Sequence, residues 1–173
     1  MIVSIQDALD YLKADIPEKE LRRKINAVES LIRDETANNF QECRMRFYAP
    51  AAGGVIKGNS PYLSIGDSIE IGESINEGIY TVEAIMEAEI GLDHRLYDTQ
   101  HNMITKIVYP EAVKAGVLNM LQWELNMRSK TGIKSETLSR HSVTYFDMDA
   151  SNSLDGYPVS LIGFLEPYYK ARW

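Results

Sequence analysis

Two histidines and two aspartates form the cluster of this sequence that could most readily do chemistry: Asp93, His94, Asp98 and His101. Imidazole nitrogens and carboxylate oxygens are common ligands of transition metals. The cluster lacks helical apolar periodicity, however, and its spacing matches no known ligand pattern. We therefore interpret it as a polar hairpin loop and predict no metal site, no cofactor and no catalytic residue. A metal-dependent enzyme using this cluster stays as the alternative function.

Two other segments contain residue types found in active sites. His141 and Ser142 are neighbours on an expected strand, so their side chains point to opposite faces, and the segment lacks a nucleophile-elbow pattern. Gly53-Gly54 is followed by Lys57-Gly58, but no Gly-Lys-Ser/Thr motif of a phosphate-binding loop is present. We interpret His141 as a strand-surface residue and the glycines as part of a mobile connecting loop.

Composition excludes several classes of function. A single cysteine, Cys43, excludes an internal disulfide framework and a cysteine-rich metal site. The net charge is −7 over 173 residues and no basic stripe is visible, so we expect no high-affinity binding to nucleic acid. An acidic surface would let DNA pass without sticking. No apolar run reaches the ~18–20 residues that cross a bilayer, and the N-terminus lacks a signal-peptide pattern.

Three helices are expected to position these residues. Ser4 is the predicted N-cap of a helix over 4–14, and Asp15 that of a helix over 17–40. The apolar stripe of the second helix repeats at helical spacing through Leu21, Ile25, Val28 and Ile32. A third helix is expected over 110–131, and its wide apolar arc indicates a central position.

Between the second and third helices the sequence becomes rich in glycine and in short β-branched runs. Alternating apolar positions and turn residues predict strands at 44–48, 68–71, 79–85, 88–92 and 103–108. Short strands without a long helix between them indicate a small antiparallel sheet or barrel. After the third helix we expect an extended segment over 137–146 and a polar loop over 147–156.

The last 17 residues are dense in aromatic and aliphatic side chains: Tyr157, Leu161, Phe164, Leu165, Tyr168, Tyr169 and Trp173. Pro158 is expected to start a short helix and Pro167 to end or kink it. Tyrosine and tryptophan are enriched at interface hot spots, so the tail is either a docking arm or a segment that packs back onto its own helices. Residues alone leave both readings open.

The order of these elements resembles the head-tail connector (adaptor, or head-completion) proteins of long-tailed bacteriophages. The resemblance rests on the paired N-terminal helices over 5–39 and on the later helix that leads into Gly132-Ile133-Lys134. It rests also on 139–145, similar to the family's S-x-x-x-S-V-T-Y strand, and on the closing Tyr157-Pro158 with its leucines. The segment 104–110 resembles members that have a β-rich insert.

This resemblance implies a structural virion protein and no enzyme. Such adaptors form a ring under the portal, commonly of twelve copies, that extends the DNA channel. The implied partners are the portal protein, further copies of the chain, and a stopper or tail-completion protein, with passing DNA bound without specificity and no membrane. The implied location is the virion neck, and the host cytoplasm during assembly. A monomeric binding module is a further alternative.

The predicted architecture is therefore α+β: a small helical bundle with an inserted antiparallel β-rich domain between the second and third helices. We expect residues 1–42 and 110–156 to form the helical domain, 43–109 the insert, and 157–173 a C-terminal extended or helical arm that docks onto the portal.

Overall fold

The fold is that of a computed structural model, which describes residues 1–127, 135–138, 141–144 and 153–171. Over these ranges the chain forms four α-helices and a closed six-stranded antiparallel barrel. The predicted mixed α+β class is confirmed. The barrel is one of the two forms expected for the β-rich segment.

Two helices open the chain. Helix α1 spans Ile5–Leu12, and the Ser4 side chain accepts a hydrogen bond from the Asp7 amide at 3.0 Å, which confirms the predicted N-cap. Helix α2 spans Glu18–Thr36. Within the described ranges, every helix is too short or too polar to cross a membrane.

Both ends of α2 differ from the prediction. Pro17 is its N-cap residue and provides no side-chain hydrogen bond, so Asp15 is not the cap. The helix ends earlier than expected because Ala37 adopts a left-handed conformation, with φ of 50°. Asn38 then accepts a hydrogen bond from the Phe40 amide at 2.9 Å, which turns the chain into the first strand.

The barrel contains every strand predicted for the segment, with different bounds. Its strands are β1 Gln41–Ala52, β2 Val55–Lys57, β3 Ser68–Gly72, β4 Gly78–Met86, β5 Glu89–Leu92 and β6 Thr99–Ile107. Around the barrel they follow the order β1-β2-β5-β4-β3-β6, and β6 closes it by pairing with β1. The interior is filled by alternating apolar residues, among them Ile56, Ile69, Ile71, Ile90 and Ile104.

Strand β2 was not predicted, and the glycines before it do not form a mobile connecting loop. Ala51 pairs with Ile56 and Ala52 with Val55, so Gly53 and Gly54 are the two-residue turn of a β-hairpin. Their φ angles are +66° and +90°. A turn of this kind needs positive φ at both positions, which glycine adopts without steric cost.

The C-terminal third adds one long helix and several short elements. They are α3 Glu111–Met127, β7 Ser135–Leu138, β8 His141–Thr144, β9 Ser153–Leu154, β10 Tyr157–Pro158, α4 Val159–Ile162 and a 3-10 helix over Gly163–Tyr168. Strand β7 pairs with β8, so part of the segment expected to be extended is a hairpin. The expected polar loop contains β9, which pairs with β10, and Pro167 lies inside the 3-10 helix. Residues 139–140 and 145–152 of these two segments, and the end expected for the third helix, lie outside the described residues.

Two apolar cores hold the chain together. One fills the barrel, and the other lies among α1, α2, α3 and the C-terminal elements. Ile107 and Tyr109, at the exit of the barrel, belong to the helical core, and Ile79 of β4 also packs against it. The barrel and the helices are therefore joined by an apolar contact as well as by the chain segments that lead from α2 to β1 and from β6 to α3.

Candidate functional site

Asp93, His94 and Asp98 of the candidate metal cluster lie in the loop between β5 and β6, and the two aspartates bond that loop to the barrel. Asp93 accepts a hydrogen bond from the Thr81 amide at 3.1 Å, and Asp98 accepts one from the Gly53 amide at 2.9 Å. His94 Nδ1 lies 3.4 Å from Asp93 Oδ1, and its side chain is largely exposed. The two carboxylates thus each tie this loop to a different part of the barrel.

His101 lies on the outer face of strand β6, apart from that loop. Its ring stacks on Tyr48 with 4.5 Å between centroids, and its Nε2 atom lies 3.8 Å from Glu73 Oε2. Among the described residues no three His, Cys, Asp or Glu side chains converge on a point where a metal ion could bind. The four residues singled out in the sequence are therefore not brought together as a ligand set.

The C-terminal arm lies against its own helical core. Tyr157 is 4% exposed, its hydroxyl donates to Glu124, and its ring lies 5.4 Å from that of Trp123. Leu165 is 2% exposed, and the half-buried Leu161 packs against the same core. The first half of the arm is therefore seated on helix α3 and its neighbours.

The Phe164 ring packs against helix α3 at Gly116, where there is no side chain. A Cβ atom at position 116 would lie 2.5 Å from Cε2 of the Phe164 ring and nearer still to two other ring atoms. Carbon atoms in ordinary contact are about 3.5–4.0 Å apart. Only glycine at 116 thus allows the ring to approach this closely.

The end of the arm is fastened to the C-terminus of α2. Tyr168 packs against Phe40 at 5.9 Å between ring centroids, and its carbonyl accepts a hydrogen bond from Asn38 Nδ2 at 3.1 Å. The Lys170 amide donates to the Thr36 carbonyl at 2.8 Å. This bond satisfies one of the carbonyls that a helix leaves without an intrahelical partner.

Part of the arm stays exposed to solvent. Val159 is 49% exposed and Tyr169 is 48% exposed. The Tyr169 hydroxyl donates to Glu35 Oε1 at 3.0 Å, and partial burial together with this carboxylate raises the pKa of Tyr169. Trp173, the last predicted docking residue, lies outside the described residues. Of the six tail residues that the structure describes, five pack on the core and Tyr169 faces solvent.

A buried polar network at the junction of barrel and helices was missed in the sequence. Glu29 of α2 is 5% exposed and accepts hydrogen bonds from Arg33 at 2.8 Å, from the Tyr109 hydroxyl at 2.9 Å and from the Ile2 amide at 3.0 Å. Ser68 of β3 donates to it at 3.3 Å. Burial, and then the neighbouring carboxylate, raise the pKa of Tyr109 above its ordinary value.

One signal in the sequence pointed to this network. Glu29 lies four residues after Ile25 and three before Ile32, so it falls inside the apolar stripe of α2. A carboxylate there must be buried and therefore needs partners. Arg33 is a local partner, one helical turn along α2, whereas Ile2, Ser68 and Tyr109 are distant in sequence and no local pattern identifies them.

The geometry thus gives two candidate functional features, the C-terminal arm and the polar junction. Comparison with protein-family models finds no match for this chain, and a search of curated proteins finds no significant relative.

Proposed function

We propose that this chain is a head-tail connector (adaptor) of a long-tailed bacteriophage and has no catalytic activity. In this proposal, copies of the chain form a ring under the portal, extend the DNA channel and present a docking surface to the next connector, stopper or tail component. The proposal includes the finer architecture: a helical domain from 1–42 and 110–156, with the barrel of 43–109 inserted between α2 and α3.

The observation that carries this proposal is the order of elements. Two helices, a β-barrel, a third helix, a strand-bearing segment and an aromatic arm follow one another in the order of the insert-bearing adaptors that the sequence resembles. The net charge of −7 also supports it, because a channel wall that repels phosphate lets DNA move through.

We also propose that the arm of residues 157–173 is the docking segment for the portal. The proposed anchors Leu161, Phe164, Leu165 and Tyr168 contact the helical core of their own chain. Docking through them requires the arm to lift from the core, as a helix-in-groove contact would demand. Val159 and Tyr169 already face solvent and could make the first contact without any rearrangement.

Deletion of the gene from the phage that encodes this chain tests the proposal. We expect DNA-filled heads and complete tails that do not join, and restoration of infectious particles by the intact chain supplied from a plasmid. Complementation by the His94→Ala/His101→Ala double variant provides the control for the enzyme alternative, and it should be as effective as the wild type. Normal yields of infectious particles from the deletion phage would contradict the proposal.

A further inference from the structure

Two large apolar side chains project from the end of the barrel that lies away from the helices. Ile75, in the β3–β4 turn, is 72% exposed, and Tyr97, in the β5–β6 loop, is 71% exposed. This end is remote from the helices because β1 ends there at Ala52 and β6 begins there at Thr99. Exposed apolar side chains on neighbouring loops are typical of interaction sites.

The two loops are held rigidly by one buried amide. Asn76, 3% exposed, accepts a hydrogen bond from the Tyr97 amide at 2.8 Å and donates to the Tyr97 carbonyl at 2.9 Å. It also donates to Asn102 at 3.1 Å, and Asn102 in turn donates to the Ala49 carbonyl at 2.9 Å. A fully satisfied buried network fixes one arrangement of the loops. Ile75 and Tyr97 are therefore presented without the entropic cost of ordering a flexible loop at binding.

The charges around these side chains are mainly negative. Glu73, Glu77 and Asp98 are exposed there, with Arg95 as the one cation of these two loops. These four residues therefore carry a net charge of −2. We call Ile75, Tyr97 and these four residues the distal tip.

The first turns of helix α2 have the opposite charge. Lys19, Arg22 and Arg23, with Glu20 and Asn26, line a surface groove of about 520 Å³. Arg22 pairs with Glu18 at 3.1 Å, whereas no salt bridge of Lys19 or Arg23 is found among the described residues. Lys19 lies in the first turn of α2, where a cation opposes the helix dipole, and Arg23 lies one turn further along the helix. We call this groove the cationic face.

We propose that the distal tip of one copy docks onto the cationic face of a second copy. Opposite charges favour this orientation, and Tyr97 can stack on an arginine guanidinium while Ile75 packs on the aliphatic stems of the cationic side chains. The contact is heterologous, because each copy uses two different surfaces, and a contact of this kind generates a ring when the rotation between neighbouring copies closes. The inference rests on the ring in the proposed function and names the surfaces that would build it.

Charge reversal tests this pairing in the full-length chain. Glu77→Arg should weaken self-association at least ~10-fold in sedimentation velocity over a concentration series, and adding Arg23→Glu to it should restore association. Tyr97→Ala should weaken association by about 30-fold, the effect of a typical aromatic hot spot. Glu87→Arg makes the same change in net charge at the exposed turn between β4 and β5, and it should leave association unchanged. Wild-type association of the Glu77→Arg and Tyr97→Ala variants would overturn the inference.

Cross-linking gives a second readout, which reports which surfaces of the two copies meet. In a Cys43→Ser background, chains bearing Tyr97→Cys are mixed with chains bearing Arg23→Cys and treated with a short bismaleimide. We expect a cross-linked pair from this mixture and none when Tyr62→Cys, 58% exposed and away from the tip, replaces Tyr97→Cys.

Failure of the inference differs from failure of the proposed function. A chain that stays monomeric and uncross-linked up to ~1 mM, where even weak contacts form, contradicts tip-to-face docking. Joined heads and tails in the deletion phage contradict the connector function instead.

Discussion

Replacing Gly116 by alanine should reverse the usual effect of this substitution in a helix. Alanine in a helix interior is normally about 1 kcal/mol more stable than glycine. Here the new methyl group would overlap the Phe164 ring, because Cε2 would be only 2.5 Å away. The ring must move by about 1 Å or more to restore an ordinary contact of about 3.5 Å.

Two opposing terms give the size of the effect. Overpacking costs typically 1–3 kcal/mol, about 2 kcal/mol at this half-buried ring. Set against the gain of about 1 kcal/mol in helix propensity, Gly116→Ala should lower the free energy of unfolding by about 1 kcal/mol. In a Phe164→Ala background the overlap is absent, so the same change should stabilise the protein by about 1 kcal/mol. The coupling between the two positions is then about 2 kcal/mol.

Urea unfolding of the four chains of this double-mutant cycle, followed by circular dichroism, measures the coupling. Trp123 fluorescence provides a second probe because its ring contacts Tyr157 of the arm. Asn26→Ala, at an exposed helical site, calibrates the propensity gain without touching the arm. If Gly116→Ala stabilises the chain equally in both backgrounds, the arm does not lie on α3 and this reasoning is wrong.

Three further predictions concern the junction and the surface charge. Glu29→Ala should lower the free energy of unfolding by about 3–5 kcal/mol in urea melts, since it leaves Arg33 buried without its carboxylate. Glu18→Ala, which removes the exposed pair with Arg22, should change this free energy by less than about 1 kcal/mol. Above pH ~10 the unfolded chain loses the Tyr109 proton that the folded chain retains. The free energy of unfolding of the wild type should therefore fall with rising pH more steeply than that of Tyr109→Phe, by up to about 1.4 kcal/mol per pH unit. Equal slopes in alkaline urea melts would contradict the raised pKa. The isolated chain should bind duplex DNA more weakly than ~10⁻⁴ M at physiological salt, and salt-sensitive micromolar binding in a fluorescence anisotropy titration would refute this.

Local patterns in the sequence predicted much of the fold. The Ser4 cap joins a side chain to the amide of Asp7, three positions later. The barrel strands were predicted from the alternation of apolar and polar residues over a few positions. Strand β2 was missed because three residues are too few to show alternation. The glycine pair before it signals a hairpin only once the flanking strands are known.

The candidate site was less predictable because its contacts are distant in sequence. Ser68 and Tyr109 lie 39 and 80 residues from Glu29, and nothing in their own neighbourhoods indicates that they meet. For the arm, the density of aromatic and aliphatic residues predicted a segment that packs on a surface, but not which surface it covers. That surface is the chain's own helical core, and Gly116 is the one position in α3 that indicates a closely packed neighbour.

Electron cryomicroscopy of the virion neck tests the connector proposal most directly. We predict a ring of this chain immediately beneath the portal, with its β-barrel and helices both fitting the density and the C-terminal arm nearest the portal. Intact virions that contain no copies of the chain in the neck would contradict the proposal.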